Sequence, residues 1–289
     1  MKQIKLSICV PTFNRDKYLN KLLKSFELIE RDYLKYIQIC ISNNFSDDNT
    51  KNVVNKYSKK FNIKYRNQKK NIGAAANLKY VYLLADGQWV FVIGDDDLIT
   101  NEINNFFLFI NQKTISNDWI FLPTYLKNKK IFINNYNGGI IKNSEVFKDC
   151  LRNTIYKYGY IGSHVIKKKL IKKIINQKSF NIRWPHLSLF LNYLFINGNF
   201  YMYNGKIVKF NSDQNLFWNA SSNAQIHLSK LDLFNNLQFI DKYKKEKNKI
   251  YLLYLRELFS FENILKIILW KTLENNDFKI NIKIINRFY

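Results

Sequence analysis

The chain has 289 residues, of which 47% are hydrophobic and 16% aromatic, and its formal net charge at pH 7 is +24. This composition is ample for a folded core and excludes a disordered protein. Residues 121–289 carry 28 Lys and Arg against 10 Asp and Glu, whereas residues 1–120 carry 18 against 12. The basic excess of the second part either favours an anionic partner or reflects a composition biased towards Lys, Asn and Ile.

The cysteines and the apolar runs indicate a protein of a reducing compartment. Cys9, Cys40 and Cys150 have no paired spacing, and two of them lie in apolar, strand-like runs. We therefore expect buried, reduced thiols in a cytoplasmic protein. The first apolar run is too short for a signal peptide, and no apolar stretch reaches 18 residues, so we expect no membrane-spanning segment.

Residues 1–125 alternate between apolar, β-prone runs and amphipathic helical patterns. Strands are predicted at 5–10, 36–42, 61–66 and 89–94, and helices at 17–29, around 53–57, at 72–85 and from about residue 100. Strand–helix alternation with short connections predicts a parallel sheet that is covered by helices on both faces. Ligands of such sheets bind at the carboxyl ends of the strands.

Polar segments follow three of these predicted strands, namely Thr12 to Arg15, Asn43 to Asp48 and Asp95 to Asp97. We predict that they converge on one rim of the sheet. Three adjacent carboxylates beyond a buried strand would be very costly without a counter-ion, and hard oxygen ligands on a short loop suit Mg²⁺ or Mn²⁺. The alternative is a solvated acidic turn before the next helix. Neither a G-x-G-x-x-G sequence nor a P-loop follows the first strand, so metal would have to hold a bound diphosphate.

The second part of the chain has a less regular pattern. Short strands are predicted at 131–133, 139–141 and 206–210, and helices at 144–151, 165–175 and 185–196. From about residue 222 the pattern changes to long basic helices at 228–243 and 250–270, with a final run at 280–289. Their apolar faces and clustered lysines predict either peripheral association with an anionic membrane, at the inner face of the cell membrane, or a packing or homodimerisation element.

Four collinear motifs resemble the family 2 glycosyltransferases, which have the GT-A fold. The motifs are Ser7–Arg15, Ser42–Thr50, Asn71–Asn77, and Ala85–Gly87 leading to Gly94–Asp97. The resemblance covers about residues 4–125 and implies an α/β fold of the GT-A nucleotide-diphospho-sugar transferase type. Its sheet would be Rossmann-like, mixed and mostly parallel, with flanking helices. Residues 1–125 would form the nucleotide-sugar-binding half, 126–220 the acceptor-binding half of the same domain, and 221–289 a basic helical extension.

The resemblance also implies a donor site at the rim. The donor nucleotide would be bound by Pro11, Thr12, Asn14, Arg15, Asn43, Asn71, Gly73, Asn77, Asp95 and Asp96. Asp97 matches the metal ligand of the D-x-D motif, with Mn²⁺ or Mg²⁺ as the cofactor, and Asp95 matches the ribose contact. Asn43 stands where the family commonly has an aspartate that contacts the base, and its amide offers both a donor and an acceptor.

The catalytic base is expected in the second half, because an inverting transfer needs a base to remove the proton of the acceptor hydroxyl. His186 stands in the slot where many relatives have a Glu-Asp pair at a helix start, and it is the predicted base. Asp213 and His164 are alternatives. Trp184 is predicted to stack on an acceptor sugar, and His164 is a second candidate for acceptor binding. The alternative for Trp184 and His186 is a structural role in the core.

The sequence thus predicts a metal-dependent glycosyltransferase. It would move a hexosyl or related sugar from a nucleotide-sugar donor to a saccharide or lipid-linked saccharide in the biosynthesis of a surface glycan of the capsule, lipopolysaccharide or O-antigen type. Inversion is the expected stereochemistry, and retention, which requires no base in this role, is the alternative. A non-catalytic nucleotide-sugar-binding relative and a sugar nucleotidyltransferase are the alternatives. Nucleic acid is not an expected partner, because carboxylates at the rim would repel its phosphates without metal.

Overall fold

A computed structural model describes residues 3–112, 115–126, 129–132, 137–152, 158–177, 185–196 and 198–209. The predicted helices after residue 221, with their membrane or dimer surface, lie outside these ranges, as do Trp184 and Asp213. Among the helices that the structure describes, none has the length and apolarity needed to cross a membrane.

The first part of the chain follows the predicted alternation closely. Its elements are β1 (Leu6–Thr12), α1 (Asp16–Ser25), a 3₁₀ turn (Phe26–Leu28), α2 (Arg31–Leu34), β2 (Ile37–Asn43), α3 (Thr50–Ser58), β3 (Ile63–Asn67), α4 (Ala74–Leu84), β4 (Trp89–Val92), β5 (Leu98–Ile99) and α5 (Glu102–Asn111). Strands β2 and β4 are buried along their whole length, as expected for central strands covered on both faces.

The second part contains several strands that the sequence did not predict. Its elements are β6 (Trp119–Phe121), β7 (Thr124–Leu126), β8 (Lys129–Phe132), β9 (Gly139–Ile141), α6 (Asn143–Arg152), a 3₁₀ turn (Ile161–Ser163), β10 (His164–Lys167), α7 (Lys168–Ile175), α8 (Pro185–Phe195), β11 (Phe200–Met202) and β12 (Val208–Lys209). The expected helix at 165–175 was wrong in its first turn, because Val165 lies in β10 and pairs with Phe91 of β4 and Ile120 of β6. So short an apolar run does not separate helix from strand by its period.

Eight strands of the described ranges form one sheet, in the order β3-β2-β1-β4-β10-β6-β11-β9. The first four strands are mutually parallel, and β10 is antiparallel to both of its neighbours. A smaller sheet joins β5, β12, β7 and β8. The main sheet is mixed and mostly parallel, as predicted for the GT-A fold.

Hydrophobic side chains cover both faces of the main sheet. Along β1, Leu6, Ile8 and Val10 join the cluster that includes α1, α3 and α5, whereas Cys9 joins the cluster of α4, α6, α7 and α8. This alternation is the two-residue period of a strand. The three cysteines are buried and unpaired, as predicted.

A polar network closes the amino ends of β1 and β4, opposite the predicted donor rim. The Ser7 hydroxyl accepts hydrogen bonds from the backbone N–H groups of Asp86, at 3.2 Å, and Gly87, at 2.8 Å. The Asp86 carboxylate accepts from Gln38 at 3.0 Å and from Lys64 at 2.7 Å. These hydrogen bonds, that of Gln38 foremost, lower the pKa of Asp86 to about 2. Asp86 and Gly87 of the Ala85–Gly87 motif therefore belong to a structural junction at this end of the sheet.

Candidate active site

The three polar segments that follow β1, β2 and β4 contact one another at the carboxyl ends of these strands. The Thr12 hydroxyl donates a hydrogen bond to Oδ2 of Asp95 at 2.7 Å. The backbone N–H of Asn14 donates to Ser46 Oγ at 2.8 Å, and the side-chain oxygen of Asn14 accepts from the N–H of Asp47 at 3.1 Å. The topology of the parallel strands thus brings Thr12, Asn14 and Asp95 to one rim.

The predicted donor residues on the β2 side hold the loops together. The Asn43 amide donates to the Tyr65 hydroxyl at 3.0 Å, while its oxygen accepts from Ser46. Asn77 is buried and donates to the carbonyl of Ser42 at 2.8 Å. Both amides therefore stabilise the rim through contacts within the protein. Their predicted contacts with a nucleotide stay predictions.

The remaining predicted donor residues are Asn71 and Gly73, just before α4, and Pro11 in β1. Asn71 accepts a hydrogen bond from the Gly73 N–H at 2.9 Å, just before α4. Gly73 has a φ of +83°, and an added Cβ would meet nothing within 4 Å, so the glycine is required by backbone conformation alone. Pro11 lies in β1 and is aligned with Ser42 of β2.

Two exposed aromatic residues lie at the rim, and the sequence analysis predicted no role for either of them. Phe13 is 40% exposed and Phe45 is 53% exposed. Phe45 and Asn14 also have positive φ values, of 68° and 51°. A left-handed backbone is unfavourable for a bulky residue, and such strain clusters at ligand-binding sites. The positive φ values therefore indicate that contacts with surrounding residues stabilise the backbone conformation of the rim.

The three carboxylates after β4 have different partners. A single guanidinium nitrogen of Arg15 lies 2.7 Å from Oδ2 of Asp96 and 3.2 Å from Oδ1 of Asp95. Asp97 instead accepts a hydrogen bond from the Tyr160 hydroxyl through Oδ2. Asp95 and Asp97 are only 5% and 3% exposed. Arg15 supplies one positive charge to the first two carboxylates, whereas the partner of Asp97 is a neutral phenol, so Asp97 is the carboxylate that is best placed to interact with an added cation.

Burial dominates the electrostatics of this cluster. Burial, opposed by the Tyr160 hydrogen bond and assisted by the charges of Asp96 and Asp95, raises the pKa of Asp97 to about 7. Burial likewise raises the pKa of Asp95 to about 6, although Arg15 and Thr12 favour its ionised form. A raised pKa means that the ionised carboxylate is poorly stabilised. A divalent cation would supply the missing stabilisation.

The donor set fits a cation that is shared with a phosphate group. Among the residues that the structure describes, no three His, Cys, Asp or Glu side chains are grouped so that they could hold a metal. Mg²⁺ and Mn²⁺ at phosphate sites commonly use only one or two carboxylates, with phosphate oxygens and water as the other ligands. Asp97 by itself meets this smaller requirement.

Tyr160 contacts the acidic cluster but could not have been identified from the sequence. It lies immediately before the 3₁₀ turn at Ile161–Ser163, 63 residues beyond the aspartate it contacts. Burial, followed by the nearby Asp97, raises the pKa of the Tyr160 phenol well above its usual value, so the phenol is a hydrogen-bond donor at neutral pH. No local pattern distinguishes this tyrosine from the other 18.

The predicted role of His164 in acceptor binding or catalysis is not supported by its position. His164 is 1% exposed, and its Nδ1 accepts from the Trp119 indole N–H at 3.3 Å. Its Nε2 donates to the carbonyl of Tyr158 at 2.8 Å. Burial lowers the pKa of His164 to about 4. Since both ring nitrogens are engaged within an aromatic core, we assign His164 to the core.

His186 has a different location, in the first turn of α8. Its Nε2 donates to the carbonyl of Gly159 at 2.8 Å. Gly159 directly precedes Tyr160, which contacts Asp97, so one hydrogen bond joins the His186 ring to the segment that carries Tyr160. The histidine is 4% exposed.

Comparison with known proteins shows what the N-terminal part of the chain is similar to. Residues 7–137, less than half of the chain, match the model of glycosyl transferase family 2. Abequosyltransferase RfbV of Salmonella typhimurium is 35% identical over 99 residues, which are 34% of this chain and 29% of that protein. The chain thus matches less than a third of that relative's length.

A second curated relative matches both halves of the chain. It is named GalNAc(5)-diNAcBac-PP-undecaprenol beta-1,3-glucosyltransferase, comes from Campylobacter jejuni, and is 27% identical over 251 residues, covering 84% of this chain and 77% of that protein.

Solved structures confirm the GT-A fold. S. aureus TarS 1–349 in complex with UDP-GlcNAc has a TM-score of 0.68 at 19% identity, covering 93% of this chain and 78% of that one. The mannosyltransferase PcManGT from Pyrobaculum calidifontis, in complex with GDP-Man and Mn²⁺, has a TM-score of 0.62 at 11% identity and covers 99% and 80%.

Proposed function

We propose that this chain is a metal-dependent glycosyltransferase that moves a sugar from a nucleotide-sugar donor to a saccharide acceptor during surface-glycan biosynthesis. The observation that carries the proposal is the buried cluster Asp95–Asp97 at the carboxyl end of β4, joined to the β1 loop by Thr12 and Arg15. The family match of residues 7–137 and the UDP-GlcNAc complex of TarS support a nucleotide-sugar donor.

The donor would bind at the rim, with Asp95 on its ribose side and Asp97 holding a divalent cation. The Mn²⁺ in the PcManGT complex supports this choice of cofactor. When bound, such a cation would neutralise negative charge that develops on the departing nucleoside diphosphate. Thr12 and Arg15 hold the Asp95 carboxylate in place, and burial of the cluster limits screening by water, which strengthens electrostatic interactions at the site.

The acceptor would be a saccharide or a lipid-linked saccharide. Support for a lipid carrier comes from the Campylobacter relative, whose name includes a PP-undecaprenol-linked glycan. We further propose inversion, with His186 as the base that takes the proton of the acceptor hydroxyl.

Replacing His186 with glutamine is expected to lower the transfer rate about 10²-fold while leaving the Kd for the nucleotide-sugar unchanged, because a positioned base typically contributes at least this factor. Transfer is measured by product formation, and donor binding by calorimetry. The matched control is His164→Gln, which removes a buried histidine from the core and is expected to lower the Tm. Parallel losses of binding, stability and transfer in His186→Gln would assign that histidine to the core as well.

The donor and the metal requirement can be tested together with a thermal-shift panel of nucleoside diphosphates and nucleotide-sugars, with and without Mn²⁺. We expect one nucleoside diphosphate to raise the Tm, and Mn²⁺ to increase that shift, since a ligand that binds only the native state stabilises it. No shift with any nucleotide would refute the proposed function. Binding without transfer or hydrolysis for any acceptor would identify a non-catalytic nucleotide-sugar-binding protein.

A further inference from the structure

A tyrosine hydroxyl from the second half of the chain is directed at the proposed metal ligand. The Tyr160 hydroxyl donates to Oδ2 of Asp97, and this carboxylate is almost completely buried. The backbone around the tyrosine is fixed, because the Tyr160 carbonyl accepts from the N–H of Ser163 at 3.2 Å. The Ser163 carbonyl in turn accepts from the N–H of Leu122 at 2.9 Å, which ties the turn to the main sheet.

Two glycines leave the space that this contact needs. A Cβ added to Gly162 would lie 2.7 Å from Cε1 of the Tyr160 ring and 3.0 Å from its hydroxyl oxygen. A Cβ added to Gly94 would lie 3.0 Å from Oδ2 of Asp97 and 2.6 Å from Oδ1 of Asp96. Neither glycine has a positive φ, so it is the space they leave that matters at both positions. The absence of a side chain at both glycines therefore leaves room for the contact between Tyr160 and Asp97.

We propose that Tyr160 is a positioning residue that orients the Asp97 carboxylate for the divalent cation. The inference rests on the proposed function, since it assumes that Asp97 is the metal ligand. A phenol donates one hydrogen, and a carboxylate has two oxygens, so the Tyr160 hydroxyl engages Oδ2 and Oδ1 would be available to hold a cation. Hydrogen-bond partners of this kind fix the geometry of metal ligands and are worth 10- to 100-fold in metal affinity.

The hydrogen bond between Tyr160 and Asp97 would also affect which divalent cation binds. A hydrogen bond to one carboxylate oxygen competes with bidentate metal binding, because it uses one of the lone pairs of that oxygen. Mn²⁺ and Mg²⁺ suit this arrangement, whereas Ca²⁺ takes more oxygen ligands and often binds both oxygens of one carboxylate. Tyr160 therefore favours the smaller ions at Asp97 over Ca²⁺.

The test is Tyr160→Phe, which keeps the ring and removes the hydroxyl. Free Mn²⁺ is measured by electron paramagnetic resonance in titrations with UDP present, and with GDP in a parallel series, against nucleotide-only blanks. We expect Mn²⁺ affinity to fall roughly 10- to 100-fold. Competition by Ca²⁺ is measured in the same samples, and the preference for Mn²⁺ over Ca²⁺ is expected to fall.

Tyr158→Phe is the matched control, because the Tyr158 hydroxyl also donates to a carboxylate, that of Asp149, at 2.6 Å. This variant is expected to keep the Mn²⁺ affinity of the wild type. Gly162→Ala is the second variant. It displaces the Tyr160 ring without removing the hydroxyl and is expected to weaken Mn²⁺ binding in the same direction.

Two results would overturn the role of Tyr160. One is unchanged Mn²⁺ affinity and ion preference in folded Tyr160→Phe, and the other is tighter Mn²⁺ binding, which would show that the hydroxyl competes with the cation. Failure of the proposed function looks different, because the wild-type protein would then bind no Mn²⁺ with either nucleotide.

Discussion

Replacing Asp97 with asparagine is expected to reduce nucleotide-sugar turnover roughly 10³-fold, equivalent to about 4 kcal/mol of transition-state stabilisation. Asparagine nearly matches the shape of aspartate but lacks the charge that would hold a divalent cation. Asp97 is the member of the acidic cluster that Arg15 does not contact within hydrogen-bonding distance. The loss should therefore appear in the metal-dependent rate, measured by release of the nucleoside diphosphate across a Mn²⁺ titration.

The same substitution is expected to raise the Tm of the metal-free protein at pH 8. Burial raises the pKa of Asp97 to about 7, above its ordinary value of 3.8. Between these two pH values the folded state binds more protons than the unfolded state, so the stability that this group contributes falls as the pH rises. Above pH 7 the ionised carboxylate is a cost to the folded state, and asparagine removes that cost.

Asp149→Asn provides the control for Asp97→Asn, because Asp149 also accepts a hydrogen bond from a tyrosine hydroxyl but lies in α6, outside the donor rim. We expect it to retain wild-type turnover at every Mn²⁺ concentration. If folded Asp97→Asn keeps its metal-dependent turnover, Asp97 is not the metal ligand, and another residue of the acidic cluster must hold the cation.

The sequence predicted most of the first half of the fold, because its longer elements show their period, whereas the short α2 and β5 were not predicted. Leu19, Leu22 and Leu23 recur at helical spacing and are buried in α1 as expected. The predicted helix to residue 29 is replaced after Ser25 by a 3₁₀ turn, a difference of the size usual at helix ends. Parallel pairing then places the polar segments at one rim without further information.

The second half was harder to predict because its strands have only two to four residues. Trp119–Phe121 and Phe200–Met202 pair with each other as β6 and β11. The local sequence carries no signal of this pairing, which depends on residues about 80 positions apart. The contact between Tyr160 and Asp97 was missed for the same reason.

Residue type predicted the location of the site better than it predicted individual roles. The three carboxylates lie at the rim, but only the structure distinguishes those held by Arg15 from Asp97. His164 and His186 were both candidates by chemistry alone. Burial and two hydrogen bonds place His164 in the core, which no pattern of neighbouring residues indicated.

One motif of the family resemblance has a structural explanation at the opposite end of the sheet. Gly87 is buried where β4 begins beside β1, and its N–H donates to the Ser7 hydroxyl. A Cβ at this position would lie 2.6 Å from the backbone nitrogen of Ser7 and 2.8 Å from the carbonyl carbon of Leu6. Backbone atoms of a central strand cannot move aside as a flexible side chain does.

Gly87→Ala is therefore expected to lower the free energy of unfolding by about 3 kcal/mol, the upper end of the usual cost of overpacking. The measurement is denaturant unfolding followed by far-ultraviolet circular dichroism. Gly139→Ala is the control, because a Cβ there meets nothing within 4 Å and only the positive φ of +93° opposes it. We expect that variant to lose about 1 kcal/mol.

Ser7→Ala separates the backbone contact from the side-chain contact at Gly87, since the Ser7 hydroxyl oxygen would also lie 2.9 Å from the new Cβ. If the backbone atoms are decisive, Gly87→Ala costs as much in the Ser7→Ala background as in the wild type. Recovery of stability in the double variant would show instead that the hydroxyl was the obstacle. In that case the close approach of β1 and β4 would not be what requires glycine at this position.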